Sequence, residues 1–156
     1  MYAPEVQDHL SRFAKRDQTM ISDTVPRQLA HQPAVPTRNR KPLDANPIAP
    51  WELRIGGYRV YFEVNESAHS VRIVAVGLKD RDRVLIGEVK RRGKPVLGLT
   101  PVTGDWESAV VANNPAFLAI VGRSRASLDA GKGILTAELR RRLGLKPRKA
   151  RDSRDA

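Results

Sequence analysis

Apolar and polar residues alternate through "WELRIGGYRVYFEV", from Trp51 to Val64. Trp51, Leu53 and Ile55 fall on one phase, and Tyr58, Val60, Phe62 and Val64 resume it after Gly56-Gly57. Two alternating runs joined by a two-residue Gly-Gly loop predict a β-hairpin. The loop length sets the register, pairing Ile55 with Tyr58, Leu53 with Val60 and Trp51 with Phe62 on a core face. The opposite face then carries Arg54 across from Arg59 and Glu52 across from Tyr61. Two facing arginines repel unless solvent screens them or an anion sits between them.

Upstream, Pro4 suits the first turn of a helix, and Val6, Leu10, Phe13 and Ala14 recur at helical spacing. Asp17 is placed to cap a second helix with Met20, Ile21, Val25 and Leu29, which Pro26 should bend or end early. His31 to Pro50 holds five prolines and the cluster "TRNRKPL", a pattern that predicts a loop. Asn65 to Ser70 predict a polar turn. "VRIVAVG" (Val71 to Gly77) predicts a central strand, and Val84 to Ile86 a further short one. These elements make an α+β domain over residues 1–87, two helices packed on a three- to four-stranded antiparallel sheet.

A hairpin-like pattern follows in "EVKRRGKPVLGLTPV". Asn114-Pro115 opens a helix with Phe117, Leu118, Val121 and Leu128, ending near Gly131 to Gly133. Thr136 is placed to cap a last helix with Leu139 and Leu143, closed by Gly144. Few large apolar groups lie in residues 88–145, so this stripe needs a partner to pack against. The tail over 146–156, ending "KPRKARDSRDA", is charged and nearly free of apolar residues, a composition that predicts disorder.

Charge sharpens this picture. The net charge is +11 and the pI about 10.7, which points to a polyanion partner. Thirteen Lys/Arg stand against ten Asp/Glu over residues 1–87, and fifteen against seven over 88–156. Without cysteine there is no disulfide framework and no thiolate zinc site. His9, His31 and His69 are scattered, so neither a metal nor another cofactor is expected. The segment MYAPEVQDHL lacks the apolar core of a signal peptide and no apolar run reaches membrane-spanning length, so a soluble, cytoplasmic protein with no membrane partner is expected.

On "HQPAVPTRNRKPLDANPIAPWELRIGGYRVYFEV" and "VRIVAVGLKDRDRVLIG", with NRKPL, PWELRIG and YRV in order, residues 2–87 resemble the RelE/ParE family of bacterial type II toxins. "VKRRGKPVLGLTPV", "DWESAVVANNPAFLAIVGRSRASLDAGKGI" and "ELRRRLGL" are similar to the Phd/YefM antitoxin family over residues 88–145. This second resemblance covers the later part of that family's DNA-binding fold and the helical tail that wraps the toxin. The antitoxin's first strand and helix have no counterpart, and Tyr2 matches the end of a strand that toxin relatives carry in full.

The toxin resemblance implies a small α+β protein that cuts mRNA on the ribosome or otherwise inhibits translation. Such an endoribonuclease needs a base for the ribose 2′-OH, cations on the developing phosphorane and an acid for the leaving oxygen. Arg59 matches the arginine after the aromatic residue of the second hairpin strand, and Arg54 lies across from it. Lys79 and Arg81 match the basic pair after the VG turn. Glu52 is the candidate base and Tyr61 the candidate acid; familiar members place lysines where this chain has Pro50 and Glu52, and a tyrosine at Leu85. Arg38, Arg40, Lys41 and Arg83 are candidate nucleic-acid contacts, and Arg91, Arg92 and Lys94 candidate operator-DNA contacts. Phe117, Leu118, Val121, Leu128, Leu139 and Leu143 are the candidate surface by which the antitoxin-like segment binds the toxin-like one.

Each residue also has a plainer reading. Arg54 and Arg59 suit a solvated sheet face, Glu52 a salt-bridge partner for Arg54, Arg59 or Lys41, and Lys79, Arg81 and Arg83 a charged edge. The leading expectation is a toxin acting on ribosome and mRNA, neutralised in cis by its own segment or in trans by a Phd/YefM-type antitoxin. Against tight masking in cis, both halves are positive. The alternatives are a non-catalytic binding protein, either gyrase-directed or a DNA-binding autoregulator, and an inactive fusion.

Overall fold

The computed structural model describes residues 1–43, 51–81, 83–86 and 114–147, with Arg83 described by its backbone. In chain order they form α1 (Pro4–Ser11), α2 (Lys15–Leu29), β1 (Arg40–Pro42), β2 (Trp51–Ile55), β3 (Tyr58–Asn65), β4 (Ser70–Asp80), β5 (Arg83–Ile86), α3 (Pro115–Asp129) and α4 (Thr136–Arg142). The five strands make one antiparallel sheet in sequence order, so the fold is α+β. The hairpin expected after residue 87, Trp106 and the tail beyond 147 lie outside the described residues.

The β2–β3 hairpin has the register that its loop length dictates, Ile55 opposite Tyr58 through Trp51 opposite Phe62. Gly56 turns the chain with a φ of 57°, a conformation that costs glycine little. Leu53, Val60, Phe62, Ile73 and Val76 form the apolar face and are all but fully buried. Val6, Leu10, Ile21, Val25 and Leu29 of α1 and α2 join the same core. Phe13, between the helices, meets Tyr58 edge-on at 4.9 Å.

Strand β4 is the centre of the molecule. It pairs with β3 along one edge and with β5 along the other, where Met1 to Ala3 also lie beside it. Ile73 N–H donates to the Met1 carbonyl (2.8 Å) and Ala3 N–H to the Ile73 carbonyl (2.9 Å). The outer side of Tyr2 exchanges two further bonds with Ile134, at 2.7 and 2.8 Å. Opposite Tyr61 and Phe62 the register slips, because Ala75 and Ile73 take those positions and Val74 is left as a bulge.

Residues 114–147 therefore do not stand apart. Asn114 caps α3, its side-chain oxygen accepting from Ala116 and Phe117 N–H. α3 packs on β4 and α1, and α4 packs on α2. Phe117, Val121, Leu128, Leu139 and Leu143 are buried in the common core, as a stripe in need of a partner requires.

Several expectations are corrected. "TRNRKPL" contains β1, paired through Arg40 opposite Leu53; Pro42 is tolerated there because β1 is an edge strand. α2 begins at Lys15 rather than after an Asp17 cap, and runs through Pro26 to Leu29 because Val25 and Leu29 are buried. Leu135, not Thr136, is the N-cap of α4, since the Ile134 bridge sets where the helix starts. Leu118 is half-buried and Ile120 takes its core place, on the phase of Phe117, Val121 and Ser124.

A Cβ on Gly77 would stand 2.8 Å from Val84 Cγ1 and 2.9 Å from the Leu85 carbonyl oxygen, so Gly77→Ala should lower the urea midpoint by an amount worth about 1–3 kcal/mol. His9 is buried and its Nδ1 accepts Val76 N–H at 3.3 Å. Burial holds its pKa down, from 6.5 to about 4. The unfolded chain therefore takes up a proton that the folded chain refuses. Stability that is whole above pH 6.5 should fall as pH drops toward 4, by up to about 3 kcal/mol, and a pH series of denaturant melts on His9→Gln should lack that component.

Candidate functional site

The sheet face opposite the α1–α2 core carries Glu52, Arg54, Arg59, Tyr61, Glu63 and Arg72, as the pairing requires. Arg54 and Arg59 are directly opposed, and the anion that relieves them comes from the chain itself. Glu52 Oε1 lies 3.0 Å from Arg54 Nε and 3.8 Å from Arg59 Nε. Glu52 is 2% exposed and Arg59 6%. Arg59 Nη1 donates to the carbonyls of Gly56 (3.0 Å) and Tyr58 (3.1 Å). The Arg54 side chain, 38% exposed, is the accessible cation of the trio.

The next stretch of this face lies under α3. Phe117 meets the buried Tyr61 ring edge-on at 4.9 Å. Ser124 Oγ donates to the Val74 carbonyl at 2.6 Å, an acceptor that the bulge frees from the β3–β4 ladder. Arg125 pairs with Glu63. Arg72 pairs with Asp129 at 2.8 Å and donates to the Arg125 carbonyl at 3.3 Å. On the far side of the sheet, Arg140 Nη1 reaches Asp23 (2.7 Å) and Ser22 (2.8 Å) on α2. One segment thus grips both sides of the sheet, and its Ile134 closes the edge between them.

The other expected residues are dispersed. Lys79, half-buried, shares the Arg59 face two residues beyond Gly77, and Arg81 is exposed in the β4–β5 turn with a φ of 55°. Arg38 is exposed and Lys41, half-buried, pairs across from Glu52. Arg40 is not a surface contact: it is 6% exposed, and its Nε and Nη1 donate to the carbonyls of Val35 (2.9 Å) and Gln28 (2.6 Å). It ties β1 to the end of α2 instead. Leu85 is buried in β5. The side chain of Arg83, and Arg91, Arg92 and Lys94 entirely, lie outside the described residues.

An open cavity of about 270 Å³ lies elsewhere, lined by Tyr2, Val25, Leu29, His69 and Thr136 among others. No cluster of metal-ligating side chains occurs among the described residues. No helix among them is long and apolar enough to cross a membrane. Sequence reasoning missed Ser124, Arg125 and Arg140. Ser124 carries a signal, a small polar residue on the apolar phase of α3; Arg140 is hidden in a run of three arginines.

No family model, curated protein or solved structure matches the chain. Glu52 and Tyr61 are the groups that could move protons, and both are buried. An incoming phosphate would have to displace a carboxylate from two guanidiniums. Glu52→Gln leaves Arg54 facing Arg59 with no anion between them and should cost about 2–4 kcal/mol, whereas Arg54→Ala should cost less than about 1 kcal/mol; chemical denaturation of the two variants measures the contrast.

Proposed function

We propose that the chain is a RelE/ParE-type toxin, directed at mRNA on the ribosome, whose sheet face is covered by its own Phd/YefM-like C-terminal segment. The observation that carries this reading is the seat of α3. It lies on the same sheet face as Glu52, Arg54 and Arg59, over the neighbouring stretch of Tyr61, Glu63 and Arg72, and is fixed there through Phe117, Ser124 and Arg125. The order of the two family resemblances along the chain supports it, as does a net charge of +11. In the open form, Arg54 and Arg59 bind phosphate, Glu52 takes the 2′-OH proton and Tyr61 protonates the leaving oxygen.

A second reading is favoured by Glu52 itself, whose carboxylate holds the place between the arginines where a phosphate would sit. In that reading the fold binds a macromolecular target, gyrase or operator DNA, without cutting RNA.

Primer-extension mapping of mRNA in a reconstituted bacterial translation reaction separates the two. Arg125→Glu sets two carboxylates against each other at Glu63, and loosening α3 by about 1–2 kcal/mol raises the open population roughly five- to thirtyfold. Ribosome-dependent cuts should rise with Arg125→Glu and fall back when Glu63→Arg is added to it. Folded protein from all three chains with no cuts from any would overturn the nuclease reading and leave the binding one.

A further inference from the structure

Among the described residues, accessible positive charge also gathers away from the sheet face. Arg12, Lys15 and Arg16 at the α1–α2 corner, and Arg141, Arg142 and Lys146 around the end of α4, are all exposed. The two stretches are over a hundred residues apart in sequence and meet in space. Lys15 Nζ donates to the Leu143 carbonyl, and a Cβ on Gly144 would stand 3.8 Å from that same Nζ. Arg140 locks the junction from inside, with Nη1 on Asp23 (2.7 Å) and Nη2 on the Lys146 carbonyl (2.7 Å).

Local carboxylates do not balance this charge. Glu138 serves both Arg141 (2.6 Å) and Arg142 (2.8 Å), so one carboxylate answers two guanidiniums. Arg12 and Arg16 have no hydrogen bond or ion pair from their side chains among the described residues. Nor does helix stability explain the placement. Lys15 and Arg16 stand in the first turn of α2, the positive end of the helix dipole, where cations are unfavourable. Asp17 is the one acidic residue of that turn, set against two cations there.

We propose that this composite ridge binds the sugar–phosphate backbone of a nucleic-acid duplex. Six long, exposed cations presented from the α1–α2 corner and the end of α4 suit a row of phosphates. Among the described residues no aromatic side chain is exposed, and Phe13, beside Arg12, is buried in the core, so the ridge lacks the stacking platforms that hold single strands. It lies on the α2–α4 side of the molecule, across the sheet from Arg54 and Arg59, and stands independently of the toxin reading. It exists only when α4 is docked, so the closed chain is the form that binds.

Fluorescence anisotropy of the full chain with a short labelled RNA duplex, and with the DNA duplex of the same sequence, over a KCl series tests this. The triple variant Arg12→Gln/Arg16→Gln/Arg142→Gln should weaken binding roughly tenfold or more at low salt and reduce the salt slope by about two to three. Its circular-dichroism melt should match that of the parent, because the substituted side chains are exposed. Arg38→Gln, on the β1 side, should leave the slope within about one of the parent value. The proposal is overturned by a triple variant that binds as the parent does, by the absence of salt-dependent binding to either duplex, or by tighter binding to phosphatidylserine vesicles than to both duplexes. A chain that cuts no mRNA yet loses duplex affinity in this way fails the toxin reading and keeps this one.

Discussion

The central strand must be covered on both of its faces, and the rest of the structure answers that constraint. Ile73, Val74, Ala75 and Val76 are consecutive and all buried, which a sheet with one wet face does not permit. α1 and α2 cover Ile73 and Val76. The bulge at Val74 turns a free carbonyl toward the other side, and α3 supplies both the apolar cover and the hydroxyl that satisfies it. Residues 114–147 are thus a required layer of the fold, which is why so short an apolar stripe is stable there.

Charge is reconciled locally rather than globally. Both halves of the chain are basic, and on bulk charge they should avoid one another. The docked surfaces nonetheless place Arg125 on Glu63, Arg72 on Asp129 and Arg140 on Asp23. Glu52 does the same between Arg54 and Arg59. Committing these carboxylates to pairs within the fold leaves the excess cations on the surface, where water and salt screen them. That sorting is how a chain with a net charge of +11 folds onto itself and still presents a strongly positive exterior.

The parts of this arrangement that were legible in the sequence are those fixed by neighbours along the chain. A two-residue glycine loop leaves the hairpin one register, so the opposition of Arg54 to Arg59 was readable, and so was Asn114 as a cap. β1 was not, because a three-residue edge strand owes its existence to hydrogen bonds with β2 rather than to any pattern of its own. The Tyr2–Ile134 bridge was hidden for the same reason. Glu52 had two readings in the sequence, base or salt-bridge partner. Periodicity says which face a residue is on; it does not say what will cover that face, and cover decides whether a carboxylate is reagent or counter-ion.

The bridge from Tyr2 to Ile134 also has a meaning in time. It joins nearly the first residue to one near the end of the described fold, a long-range contact of the kind that raises the contact order and slows folding. During synthesis the segments of the hairpin and β4 are made before those of α3 and α4. For that interval the second face of β4 has no layer to cover it. The last helices made are therefore the ones that complete the sheet begun by the first residues.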